Sequence, residues 1–442
     1  MTPASPSPTK AGVVWMKSKW DLKKNPFPSS GIARLGGSDD RENGLLFQPG
    51  VQREKVNESV EKFVLGAAYS GLKFGYLWSL GTGLSGGDAR GYGKSSLLQY
   101  LVEEVNRDFG RSLLLDAGLD DEDADENPIC AVLASFDMAN ARSLAAVFFE
   151  ATRYACRFSA LDQPTLASRL RERLVRNLGT EVEAELVEAV YAVNDAIRGR
   201  TLGPPIDEFI RLLCSGEPVK LGRFIEDVKA GARARVGAAN YLATFLLFAK
   251  AAGVEHVLMG CDQLEDFAAT STTKQKRTLE TERFRDYVLE LQPMADMLCV
   301  LVTLHPRAEQ AIGDMWRLAD LPSFTHDRVE NASHVVVLHE ITTPERAREL
   351  LQPYLDAQRK NPADHGSIAP FTDDAIDVVL SRSEGKPRDV LRKAFALVEQ
   401  GAALNWDSIT AARAADVLDS LTASEDDYVP VSTARKPVEE NW

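Results

Sequence analysis

The residues best suited to chemistry lie in one glycine-dense run, GDARGYGKSS, at positions 87–96. A loop joining a strand to a helix turns several backbone N–H groups toward one point, and the helix N-terminus adds partial positive charge there. Gly91 and Gly93 let the backbone approach an anion closely, so Ala89, Arg90, Gly91, Tyr92, Gly93 and Ser96 would line it. Lys94 would reach the β/γ phosphates of a nucleotide, and the Ser95 hydroxyl would sit on Mg2+. The chemistry expected is ATP binding with a magnesium ion. The strict pattern G-x-x-x-x-G-K-[ST] asks for glycine at position 88, where the chain has Asp88, and Gly87 stands one place too early. A bare GKS tripeptide would be weak. A strand before it and a helix after it supply the context that the motif needs.

Such a loop needs a carboxylate on a neighbouring strand to hold the metal's water shell. VLMGCDQLED supplies Asp262 at the end of an apolar run, where the other reading is a strand-end carboxylate that caps the next helix. The following residue is Gln263. An amide cannot act as a general base, although it can orient a water. Glu265 and Asp266 are nearby carboxylates that either substitute for a base or begin a solvated helix. Slow hydrolysis is the expectation.

These groups have to be held by a sheet. FGYLWSL (74–80), ICAVLASFDM (129–138), VEHVLMGCD (254–262), MLCVLVTL (297–304) and VVVLHE (335–340) read as buried strands alternating with helices. That alternation predicts an α/β fold with a parallel sheet covered on both faces. LDDEDADEN (119–127) reads as a solvated loop, because such a run cannot be buried. From about 140 to 250 the pattern is helical, with Leu166, Leu170, Leu174 and Leu178 on one face. Arg169, Arg173 and Arg176 share another face, read as solvated in preference to phosphate-contacting. After Thr343 the chain returns to helices: Thr343 and Thr372 stand at starts, Gly385 at an end, and Pro387 opens a helix that Gly401 closes. The expected organisation is an extended arm at 1–43 docked through Trp20 and Phe27, an α/β nucleotide domain at 44–340 with a helical insertion at about 157–236, a helical lid at 341–421, and a disordered tail at 422–442.

Composition excludes several classes. Hydrophobic residues make up 44% and charged residues 26%, as in a soluble globular protein. No apolar run approaches the roughly 20 residues needed to span a bilayer, so no membrane partner is expected. MTPASPSPTK lacks the apolar core of a secretion signal, and the five cysteines are odd in number with no CxxC spacing. Reduced thiols in a cytoplasmic protein follow. The net charge of −14 argues against a free-standing, sequence-independent DNA binder, which needs a basic field.

The order of glycine-rich loop, DQ-type acidic strand, VLVTLHP strand, DRV segment, TTPERARELL helix and GKPRDVLR helix resembles the AAA+ ATPases, most of all the origin-recognition initiator clade. DQLEDF is also similar to STAND signalling ATPases, and WDLKKNPF to the opening of transposition- and secretion-associated AAA ATPases. The resemblance covers about 44–421. It implies that QPGVQRE (48–54) lies by the adenine with Arg53 as the clade's N-terminal arginine, and that Thr303, or in its place His305, senses the γ-phosphate. It further implies that Arg388 is the lid arginine and that Arg328 is a finger reaching a neighbour's nucleotide, with Arg317 as second choice. The partners implied are ATP, further copies of the chain or AAA+ subunits, and a DNA or nucleoprotein assembly. The segment AEQAIGDMWRLADLPSFTHD and the helices near 157–236 exceed the clade's pattern, and no winged helix follows the lid. Remodelling ATPase, ATP-held switch and non-hydrolysing interaction protein all stay open at this point.

Overall fold

The structure is a computed structural model that describes residues 10–30, 39, 41–42, 44, 46–79, 91–135, 143–158, 163–193, 204–230, 233–264, 273–304, 312–322 and 332–426. The chain divides into two compact units, Ile32–His339 and Met1–Gly31 with Glu340–Trp442.

The first unit is built on five strands: β1 Phe74–Ser79, β2 Ile129–Ser135, β3 His256–Asp262, β4 Leu298–Thr303 and β5 Val335–Leu338. All pair in parallel in the order β2-β3-β4-β1-β5. Nearly every strand residue is buried, which explains the continuous apolar runs: a sheet covered on both faces has no polar side to alternate with. The chain leaves β1 for the far edge at β2 and returns strand by strand until β4 lies beside β1. Connections from β1 and β4 therefore run in opposite directions. That makes the gap between their C-terminal ends the switch point at which such sheets bind ligands.

One face is covered by the helix Lys94–Asp108. It comes so close that a Cβ on Gly260 would lie 3.0 Å from the Leu98 side chain. The helix also guards the sheet's open edge. The Asn106 amide donates to the Ala131 carbonyl at 2.7 Å and accepts from the Ala131 N–H at 2.8 Å, pairing groups that β2 would otherwise leave free on that side. On the other face Trp316 donates to the Tyr76 hydroxyl at 2.9 Å and packs edge-on against Phe74.

Helices fill the chain between β2 and β3, among them Ala146–Arg157, Leu166–Leu178 and Arg233–Ala251. Leu166, Leu170 and Leu174 are buried as the spacing predicts, whereas Leu178, the last residue before left-handed Gly179, is 45% exposed. The arginine face departs from expectation. Arg169 donates to the Asn106 carbonyl, and Arg173 donates to the Ala252 carbonyl at 2.9 Å while lying over the Phe109 ring. Two of the three arginines therefore bond carbonyls at the ends of helices, and Arg176 alone of the three is exposed. The acidic run is also not a plain loop: Asp121–Glu126 is a short helix whose start is capped by Asp120, with its carboxylates in solvent. Among the described residues, no helix is long and apolar enough to cross a membrane.

The second unit consists mainly of the helices Pro344–Gln358, Asp373–Arg382, Pro387–Ala403 and Ala411–Asp426. The last of these runs past the point where a tail was expected. Within this unit the N-terminal segment is not simply extended: Lys10–Lys19 is a helix. Trp20 and Phe27 are buried, with Phe27 against Tyr354 and Phe371. The indoles of Trp15 and Trp20 donate to the carbonyls of Trp406 and Asp407 at 2.8 and 3.2 Å, and the Asn25 amide donates to the Phe395 carbonyl at 3.1 Å and to Glu399 at 2.8 Å. Gly401 does not end its helix, which continues to Ala403. It is the place where the Trp20 and Trp406 rings approach, and a Cβ there would sit 2.9 Å from Trp406. Thr343 caps its helix through the Arg346 N–H, but the Thr372 hydroxyl donates to the Ile409 carbonyl instead of capping.

Candidate functional site

The helix Lys94–Asp108 begins directly after Gly93, which is left-handed at φ 90°, and Gly91 is left-handed at φ 94°. Between them the Tyr92 side chain is fully buried, so this corner is anchored in the core. Among the described residues no side chain caps the helix start. Its first-turn N–H groups are therefore suited to an anion.

Four side chains that the sequence singled out, Lys94, Ser95, Asp262 and Thr303, lie at the C-terminal edge of the sheet. Lys94 donates through Nζ to Ser79 Oγ at 2.7 Å, on the last residue of β1. Ser95 donates through Oγ to Asp262 Oδ1 at 3.0 Å, on the last residue of β3. Thr303, the last residue of β4, donates its hydroxyl to the same Asp262 oxygen. Asp262 is 3% exposed, so these are the bonds of a desolvated carboxylate. A carboxylate beside a hydroxyl is a set of hard oxygen donors, which fits Mg2+.

Gln263 follows in the left-handed region at φ 60°, uncommon for a side chain other than glycine, asparagine or aspartate. Its N–H donates to Thr303 Oγ1 at 3.3 Å. Its side-chain Oε1 is buried and has no hydrogen-bond partner among the described residues. An amide oxygen so placed is an acceptor in want of a donor, such as a bound water.

Comparison with known protein families, curated proteins and solved structures gives no match.

The site's reading therefore stands on its own geometry. Residues 44–53 border it. A Cβ on Gly44 would lie 3.5 Å from Gln99 Cβ and 3.6 Å from Ser96 Cα, Phe47 packs on Tyr100 with ring centroids 5.1 Å apart, and Gln52 donates to the carbonyls of Tyr92 at 3.3 Å and His339 at 3.2 Å. Arg53, at the start of the helix Arg53–Ser59, is exposed. Arg388 belongs to the other unit, where its Nε donates to the Ser30 carbonyl at 3.4 Å. Ala89, Arg90, Glu265, Asp266, His305 and Arg328 lie outside the described residues.

Ser79 was missed by reading the sequence, and Gln52 stood there only within QPGVQRE, with no role of its own. Ser79 had a signal, a lone hydroxyl ending an apolar strand immediately ahead of the glycine-rich run. Gln52 had none, since its two carbonyl partners are 40 and 287 residues away. The back of the helix is braced by the helix Ala146–Arg157. Tyr154 donates to Glu103 at 2.8 Å, and burial followed by the Glu103 charge holds the Tyr154 phenol well above its ordinary pKa, keeping it a donor.

Proposed function

We propose that this chain is a P-loop ATPase of AAA+ type that binds Mg-ATP and turns it over slowly, in an assembly with further copies or related subunits. The observation that carries this reading is the meeting of Lys94, Ser95 and Asp262 around a helix N-terminus at the sheet's switch point. Lys94 would pair the β/γ phosphates, the helix start would receive their oxygens, and Ser95 with Asp262 would hold Mg2+. That ion, when bound, neutralises charge developing on the transferred phosphoryl group. Arg388 and Arg328 keep the roles of lid arginine and trans finger that the resemblance implies. A DNA or nucleoprotein complex as the assembly's target rests on that resemblance alone.

A second reading, an ATP-held switch in a signalling or defence assembly, is favoured by Gln263. Its amide stands where a base is expected, so a bound nucleotide would persist. Titration with a fluorescent ATP analogue in magnesium, with competition by ATP, ADP and GTP, tests the common core of both readings. Saturable binding displaced by ATP is the expected result, and its absence would remove both. Gln263→Glu separates them from a site that has no hydrolytic geometry. Single-turnover hydrolysis should rise on the order of 10²-fold, the lower end of what a positioned carboxylate base contributes. A rate unchanged in Gln263→Glu but lost in Glu265→Gln would move the base to Glu265.

A further inference from the structure

The resemblance assigns Thr303 to sensing the γ-phosphate. We infer from the hydrogen-bond chemistry that Thr303 is instead a positioning residue for the metal-holding carboxylate Asp262, acting whichever nucleotide is bound. The inference rests on the Mg-ATP reading above.

A threonine hydroxyl has one proton to give and two lone pairs to offer. In Thr303 the proton goes to Asp262 Oδ1, and one lone pair receives the Gln263 N–H. Phosphate oxygens are acceptors, so a contact with the γ-phosphate would require the proton that Asp262 holds. Releasing it would take one donor from the carboxylate of a 3%-exposed residue, which is costly in a buried site. Ser95 shows the opposite economy. Its proton also goes to Asp262 Oδ1, which leaves its lone pairs available to a cation.

The placement of β4 makes the arrangement possible. It lies between β1 and β3, so its last residue stands beside the end of the acidic strand. From there one hydroxyl joins the Asp262 carboxylate to the backbone of the left-handed turn at Gln263. Groups that orient a metal ligand without touching the metal govern metal affinity, and losing one costs about 10–100-fold.

The test is a Mg2+ titration of nucleotide binding, run with ADP and with ATP, on wild type, Thr303→Val and Thr303→Ser. Valine keeps the shape and removes the hydroxyl, and serine restores it. Thr303→Val should raise the Mg2+ concentration at half-effect by about tenfold or more with ADP and ATP alike, with binding in excess chelator little changed. Thr303→Ser should return the midpoint toward wild type. An unchanged midpoint in Thr303→Val would overturn the inference. A loss confined to ATP, with ADP unaffected, would also overturn it and reinstate γ-phosphate sensing. If the valine protein does not fold, Thr303→Cys serves, since a thiol fills similar space and is only a weak donor. A wild-type protein that binds neither nucleotide would overturn the nucleotide reading itself, a different outcome from any of these.

Discussion

Lys94→Ala should lose at least about tenfold in Mg-ATP affinity while the protein stays folded. A hydrogen bond to a charged group is worth roughly 1.5–3 kcal/mol, and ~1.4 kcal/mol is a factor of ten. Lys94 is the cation at the first position of the helix, and its Nζ is held 2.7 Å from Ser79 Oγ at the end of β1. That bond holds the ammonium beside the end of β1. Ser79→Ala is the matching control. It removes this contact but keeps the charge, so its loss of affinity should be several-fold smaller than that of Lys94→Ala. The two variants, compared by fluorescent nucleotide titration alongside circular dichroism, distinguish a phosphate-pairing lysine from one that only stabilises the strand end. Unchanged ATP affinity in a folded Lys94→Ala protein would end the phosphate-loop assignment.

The parts of this site that can be read in the sequence are those whose cause is local. Gly93-Lys94-Ser95 reads because backbone torsion, charge and hydroxyl chemistry are fixed within three residues. The five strands read because burial on both faces leaves unbroken apolar runs. What did not read depends on partners distant in the chain. Nothing in VLVT says that β4 lies between β1 and β3, so the Thr303–Asp262–Gln263 bonds were invisible. Gln52 reaches two carbonyls that only the folded chain brings together. Gly401 looked like a helix end because glycine often is one, whereas two indoles crowding the helix explain it better. The Lys10–Lys19 helix was hidden by the flanking Pro and Ser residues; tertiary contacts through Trp15 and Trp20 override the weak local preference.

The largest stability effect should come from Gly385→Ala, and Gly366→Ala calibrates it. Both glycines lie in the helical unit and both are left-handed, at φ 68° and 87°. They differ in what surrounds them. A Cβ on Gly366 would meet nothing within 4 Å, whereas one on Gly385 would lie 2.3 Å from the Ile341 carbonyl oxygen and 2.9 Å from Glu340 Cβ. The first of those atoms is backbone, which cannot rotate away as a side chain can. The crowding has a cause, since the Ile341 N–H donates to the Gly385 carbonyl at 2.7 Å and draws the two strands of chain together. Gly366→Ala should therefore cost only left-handed strain, about 1–2 kcal/mol. Gly385→Ala should add roughly 1–3 kcal/mol for overpacking, and more if the Ile341 bond is lost. Hydrogen exchange along the helix Pro387–Ala403 reads this locally, without assuming that both units unfold together. Protection there should fall much further in Gly385→Ala than in Gly366→Ala. Equal losses would mean that the turn relaxes freely, and that the glycine of GKPRDVLR is required by its torsion alone.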